Sequence, residues 1–325
     1  MTTVRWGVLG TARIAEQQVI PAIQKAAHAQ LTAVASRSLT KAQEFAARNN
    51  IVKAYGSYEE LLDDPEIDAV YIPLPNHLHA QWTIAAARRK KHVLCEKPAT
   101  LNAEELQSVL SACQEEGVVF MEAFMYQFHP QWNRVREVLQ SGELGEVKVL
   151  AASFSFPLSD ESDIRLSPDK GGGSLYDVGC YCVHAIQTVS GKQEPVDIGA
   201  VAKFAQDNIV DRSLSAALRF QNGLLAHFDC SFEAADRQSF HIAGSMGTIT
   251  LSLPFRPDKG NPEFALVTNQ GTRVETFEPF DFYRRQVEHF CDCVASGNIP
   301  FNTPEDSMTN ARIVDAVYRA AGRTV

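Results

Sequence analysis

The chain has 325 residues, enough for two domains of ordinary size. Apolar residues make up 45% and charged residues 21%, so a sizeable core is available. The formal net charge of −9 argues against nucleic acid or an anionic membrane as the main partner, and no apolar run approaches the length of a membrane span.

The first part of the chain alternates short apolar runs with amphipathic stretches. Val4–Leu9 reads as a strand ending at Gly10, and residues 14–27 have helical spacing. Strands are expected at 31–36, 69–72, 92–95 and 118–121, with helices over 40–48 and 103–115 and another helix after Asn76. Such alternation predicts repeated βα units and a parallel sheet covered on both faces. Near residue 125 the pattern changes. A helix at 130–140, a long strand at 146–156 and a helix at 174–189 precede a strand-rich stretch from 196 to 277. Turn signals at 221–223, 246–247 and 269–271 divide that stretch and predict hairpins. Helices over 281–296 and 304–321 close the chain, the last opened by Thr303-Pro304-Glu305-Asp306. The expected fold is therefore α/β. A domain built on a parallel sheet (residues 1–124) is followed by one built on a large antiparallel or mixed sheet (residues 125–325).

The N-terminus, MTTVRWGVLG, shows no secretory pattern, so a cytoplasmic location is expected. Seven cysteines include the close pairs Cys180/Cys182 and Cys291/Cys293, with no second pair at matching spacing. Reduced, buried thiols are expected rather than a metal site or a disulfide framework.

Three clusters carry chemistry. Gly7-Val8-Leu9-Gly10-Thr11-Ala12-Arg13-Ile14-Ala15 joins the first strand to the first helix and fits G-x-G-x-x-G/A at Gly10, Ala12 and Ala15. Gly10 permits the tight turn, and the helix start offers free N–H groups to a pyrophosphate. The second strand ends in Ser36-Arg37-Ser38, where NAD enzymes usually place an acid. Arginine and hydroxyls suit a 2′-phosphate, which predicts NADP, with NAD the weaker alternative. Cys95-Glu96-Lys97-Pro98 lies at another strand end, where such sheets bind ligands, and Lys97 could lower a neighbour's pKa. In the second half, Asp177, Tyr181 and His184 fall on one helical face after Gly171-Gly172-Gly173. The bland reading is a structural hydrogen bond for His184 alone. Pro75-Asn76-His77-Leu78-His79 contains a His-x-His pair without a third ligand, so no metal is expected.

Taken together and in this order, these motifs resemble the glucose–fructose oxidoreductase / inositol dehydrogenase family (Gfo/Idh/MocA) over nearly the whole chain. Met121–Tyr126, Phe128–Gln131 and the tyrosine at 181, where many members have histidine, resemble the branch of dimeric dihydrodiol dehydrogenase and NADP-dependent D-xylose 1-dehydrogenase. The resemblance implies Lys97 and Tyr181 as the catalytic pair, Asp177 at the substrate and His79 in support. It implies cofactor contacts at Gly10, Thr11, Ala12, Arg13, Ile14, Ser36, Arg37, Leu74, Asn76, His79, Glu96 and Lys97. It also implies an N-terminal Rossmann dinucleotide-binding domain (residues 1–124), a C-terminal α/β domain (residues 125–325) with a large, mostly antiparallel open sheet, and hydride transfer between NADP and a cyclic sugar or trans-diol, by a homodimer. A glucose–fructose-type or keto-sugar reductase and a non-catalytic NADPH-binding sensor are the alternatives.

Overall fold

The structure is a computed structural model and describes residues 2–205 and 209–323. Two compact units emerge. One takes the chain up to Met125 together with Asp281–Met308; the other takes Tyr126–Phe280 and the residues from Thr309 onward.

In the first unit the strands are β1 (Val4–Leu9), β2 (Ala29–Ala35), β3 (Lys53–Tyr55), β4 (Ala69–Ile72), β5 (His92–Cys95) and β6 (Phe120–Glu122). They form one sheet of order β3-β2-β1-β4-β5-β6, and every pairing is parallel. This is the doubly wound order expected of a dinucleotide-binding domain, with its switch point between β1 and β4. The strands are buried almost continuously, because a parallel sheet is covered on both faces. The helices are α1 (Ile20–Lys25), α2 (Leu39–Arg48), α3 (Tyr58–Asp63), α4 (His79–Ala87) and α5 (Ala103–Glu116). The sequence reading had omitted β3 and α3. A half-buried three-residue edge strand is too short to show a period.

The second unit opens with α6 (Pro130–Ser141) and β7 (Val147–Ser155). A helix follows, starting in a wide π-type turn at Leu175–Gly179 and continuing as α7 (Cys180–Val189). Then come β8 (Asp197–Phe204), β9 (Asp211–Arg219), β10 (Leu225–Ser231), β11 (Arg237–Gly244), β12 (Gly247–Leu251), β13 (Glu263–Thr268) and β14 (Gly271–Thr276). Among the described residues these eight strands form one sheet, antiparallel except for β7 with β10. The β9–β10, β11–β12 and β13–β14 hairpins fall at the turn signals noted above.

One face of this sheet carries Leu150, Phe154, Leu214, Leu218, Phe228 and Phe240, all buried. The helix at 175–189 packs over β7 and β10. The alternate positions are polar, small or exposed, as a one-sided sheet requires. On that outer face Leu225, Val149, Ala243, Thr248 and Val267 lie in register across five strands.

Two helices end the chain, α8 (Phe282–Ser296) and α9 (Pro304–Ala320). α8 returns to the first unit, where Phe290 meets Trp6 with ring centroids 5.0 Å apart. All seven cysteines are free and buried. Among the described residues no helix is long and apolar enough to cross a membrane.

Candidate active site

The carboxyl ends of β1, β2, β4 and β5 collect most of the residues singled out in the first unit. Gly10 follows β1 with φ +108°, and a Cβ there would stand 2.9 Å from Leu74 Cδ2. The positive φ favours glycine, and a Cβ would in addition press on the Leu74 methyl. The helix beyond begins in a π-type turn, Ala15–Val19. The helix carrying Asp177 and Tyr181 has the same feature, a local widening that often marks functional helices. Thr11, Ala12, Arg13 and Ile14 line the entry to the first helix, and Thr11 and Arg13 are exposed. The first-turn N–H groups of a helix lack internal partners and are suited to phosphate oxygens.

Ser36 is buried at the end of β2, and Arg37 beside it is exposed. Ser38 caps α2 by accepting from Lys41 N at 3.4 Å. The phenol of Tyr58 lies in this neighbourhood. Burial raises its pKa, and the charge of Arg37 opposes the rise. Its hydroxyl is 3.9 Å from where a Gly10 Cβ would sit. Tyr58 escaped the sequence reading, though it starts a helix just beyond a strand end, with Ser57 as the cap.

The turn after β5 is fastened from several sides. Tyr71 donates from Oη to Glu96 Oε1 at 2.6 Å, and Lys97 N donates to Glu96 Oε2 at 3.3 Å. The Lys97–Pro98 peptide is cis. Ala99 N donates to Glu122 Oε1 at 2.9 Å. His79 is wholly buried, with Nδ1 2.7 Å from Pro98 O and Nε2 2.7 Å from Leu74 O. Burial outweighs the two carbonyls and pulls the ring's pKa down to about 4. His79 thus lies between a carbonyl of the loop after β4 and one of the turn bearing Lys97, and as a neutral ring it donates its single N–H to one of them. Glu122 is buried beneath the same turn, and burial pushes its carboxyl up to about 7. Glu122 lies in the Met121–Tyr126 segment, but the sequence reading gave it no role.

In the second unit Asp177 and Tyr181 lie one helical turn apart. Arg165 Nε donates to Asp177 Oδ2 at 2.7 Å, and Asp177 is the main cause that raises the pKa of Arg165. Arg165, in the loop before the glycines, had not been foreseen. The Tyr181 ring is buried against Phe154, Phe255 and Tyr126, with centroids 5.6, 5.7 and 5.8 Å away. His184 turns to Tyr126, whose Oη lies 2.6 Å from Nδ1. That fits the structural reading of His184. Among the described residues no group of three or more His, Cys, Asp or Glu side chains could hold a metal ion.

Known proteins agree with this architecture. Residues 4–124 match the profile of the oxidoreductase family with an NAD-binding Rossmann fold, and residues 132–250 match the GFO/IDH/MocA C-terminal domain. The chain is 42% identical to D-xylose 1-dehydrogenase (NADP(+)) 2 of Haloferax volcanii, covering 97% of both chains. It is 34% identical to mouse trans-1,2-dihydrobenzene-1,2-diol dehydrogenase over 99% of this chain and 98% of the other. The crystal structure of a 3-ketoreductase from Actinomadura kijaniata, in complex with NADP and TDP-benzene, superposes with a TM-score of 0.90. Its sequence is 32% identical, and 98% of each chain is covered. The chain therefore belongs to the Gfo/Idh/MocA family of oxidoreductases.

Proposed function

We propose that this protein is an NADP-dependent enzyme that transfers a hydride between the nicotinamide and a hydroxyl-bearing carbon of a cyclic sugar or trans-diol. The observation that carries the reading is the fastened Lys97 turn. Tyr71, His79 and Glu122 all bind the segment Glu96–Ala99 that bears it. Such support is what a preorganised ammonium requires.

The first unit fits the cofactor. The Gly10 turn and helix entry suit its pyrophosphate, and Arg37 with Ser36 suits a 2′-phosphate better than a ribose hydroxyl. When bound, NADP accepts or supplies the hydride. The residues of this chain handle the proton. Tyr181 takes it from the hydroxyl, or returns it in the reverse direction. An ordinary tyrosine titrates near 10, too high for an efficient base at neutral pH. A cation favours the phenolate, and Lys97 is the partner that the family resemblance implies for Tyr181. Asp177, oriented by Arg165, accepts a hydrogen bond from a second substrate hydroxyl. Phe154 and Phe255 beside Tyr181 suit the C–H face of a small ring.

The relatives support this reading, since two of them are named for oxidation of D-xylose and of a dihydrodiol. A keto-sugar reductase would use the same side chains in the opposite direction. Cofactor absorbance with a panel of aldoses, cyclitols, trans-diols and keto-sugars tests the proposal. Turnover of a cyclic sugar or diol is expected. Activity confined to 2-hydroxy acids would overturn it.

A further inference from the structure

Asp211 opens β9 and has no exposure to solvent. Its carboxylate gathers three donors from two distant parts of the chain. Oδ2 accepts from Ser174 Oγ at 2.5 Å and from Leu175 N at 2.8 Å. Oδ1 accepts from Tyr318 Oη, on α9, at 2.7 Å. Leu175 N is an amide of the first helical turn, one of those that helix geometry leaves without an internal partner. Asp211 is thus an N-terminal cap supplied from another strand, with its negative charge at the favourable end of the helix dipole.

Gly173 gives way to this contact. It has φ +139°, and a Cβ there would stand 2.4 Å from Asp211 Oδ1 and 2.6 Å from Tyr318 Oη. The third glycine of the Gly171–Gly173 run is therefore there for the Asp211–Tyr318 pair.

The end of the chain adds a second hold. Arg323 Nη1 donates to Tyr176 Oη at 2.8 Å and Nε to Ile209 O at 2.9 Å. Its guanidinium carbon sits 4.2 Å over the Tyr318 ring and 4.9 Å over the Tyr176 ring. The two tyrosine rings meet edge to face with centroids 4.9 Å apart. Tyr176 immediately precedes Asp177. Tyr181 lies six residues beyond Leu175, about 9 Å along the axis, so a rigid helix carries the placement of its first turn to Tyr181.

We infer that Asp211, held by Tyr318, is the positioning group that sets the reach of Asp177 and Tyr181, and that Arg323, bound to Tyr176 and seated over the Tyr318 ring, supports it, so that the C-terminal segment tunes the reaction. The inference rests on the reading of Tyr181 as the acid/base. An apolar contact would bury this helix end with a smaller desolvation cost than a carboxylate, but it would leave Leu175 N without an acceptor. What the carboxylate adds is direction, because its acceptor positions fix the azimuth of the first turn.

The test uses the full-length protein. Tyr318→Phe removes one hydroxyl, Arg323→Met removes the guanidinium, and Arg323→Lys keeps the charge. Asp211→Asn is the more direct variant; if it fails to fold, Tyr318→Phe decides. For each, kcat and its pH profile are measured beside Tm and the Kd for NADPH from fluorescence. Tyr318→Phe and Arg323→Met should lower kcat about tenfold, a misplacement cost, and displace the pH limb that reports the essential acid/base. Arg323→Lys should recover part of the loss. NADPH affinity should be unchanged, because these residues belong to the other unit. Normal kcat and an unmoved pH limb with only a lower Tm would overturn the inference. Tyr181→Phe is run alongside. If it collapses while Tyr318→Phe turns over normally, positioning alone is refuted. If Tyr181→Phe turns over normally while Tyr318→Phe is slow, the acid/base reading is refuted instead.

Discussion

Arg165 holds Asp177 through an Nε–Oδ2 hydrogen bond of 2.7 Å, and it does so from the loop that precedes the glycine run. Arg165 keeps 42% of its side-chain surface exposed, whereas Asp177 keeps 15%. An ion pair this open adds little to stability, under about 1 kcal/mol. Its consequence is orientation of the carboxylate.

Arg165→Ala should therefore leave Tm within a few degrees of wild type and raise KM for the sugar or diol several-fold, with a smaller change in kcat. Initial-rate kinetics beside a thermal melt check this. An unchanged KM would show that Asp177 does not need Arg165 to meet substrate.

Arg37 should decide the cofactor. A hydrogen bond to a charged partner contributes about 1.5–3 kcal/mol, so Arg37→Ala should weaken NADP about 10–100-fold. NAD, without the 2′-phosphate, should lose little. Titration of both cofactors by fluorescence measures the two losses, and equal losses would remove Arg37 from phosphate recognition.

Glu122 supplies a pH dependence of stability. Its carboxyl rises from the ordinary 4.5 to about 7 in the fold because it is buried. The folded state therefore holds a proton that the unfolded chain releases between those values. The resulting stabilisation is complete below about pH 4.5 and is lost as pH rises through 7, on the order of 3 kcal/mol in all. Glu122→Gln keeps an acceptor for Ala99 N and cannot ionise. Its Tm should gain on wild type as pH is raised from 4.5 to 8. Parallel melting curves for the two proteins across that range would contradict the assignment.

The outer face of the eight-stranded sheet, with exposed Leu225 and Val267 at the ends of its apolar row, should be covered by a second copy in a homodimer. Light scattering at micromolar concentration should return twice the chain mass, and Leu225→Lys should shift it toward the monomer. A wild-type monomer would refute the dimer.

The alternation of apolar runs and helical spacing made most of the first sheet readable, because a parallel sheet leaves a strong local pattern. β3 was lost because three half-buried residues have no period. α8 was legible as a helix, yet its amphipathic spacing says only that one face is buried. That this face meets Trp6 is a long-range fact. The site shows the same division. Lys97, Asp177 and Tyr181 stand in motifs with a role attached, whereas Tyr58, Arg165 and Asp211 stand outside every motif, and Glu122 stands in one that says nothing of its burial under the Lys97 turn. His79 stood in a motif, but its attachment to Leu74 and Pro98 carbonyls depends on two loops that only the fold brings together.

The central claim is that Tyr181 moves the proton and His79 does not. Loss of a general acid/base costs about 10²–10⁴-fold in rate. The deciding measurement is kcat for Tyr181→Phe and His79→Gln, with NADPH affinity determined for each. Tyr181→Phe should lose that factor and bind NADPH nearly as wild type. His79→Gln should lose less and keep the wild-type pH profile, since its ring serves the backbone of the Lys97 turn. Near-normal turnover in Tyr181→Phe, with activity abolished in His79→Gln, would reverse the two roles and contradict the account.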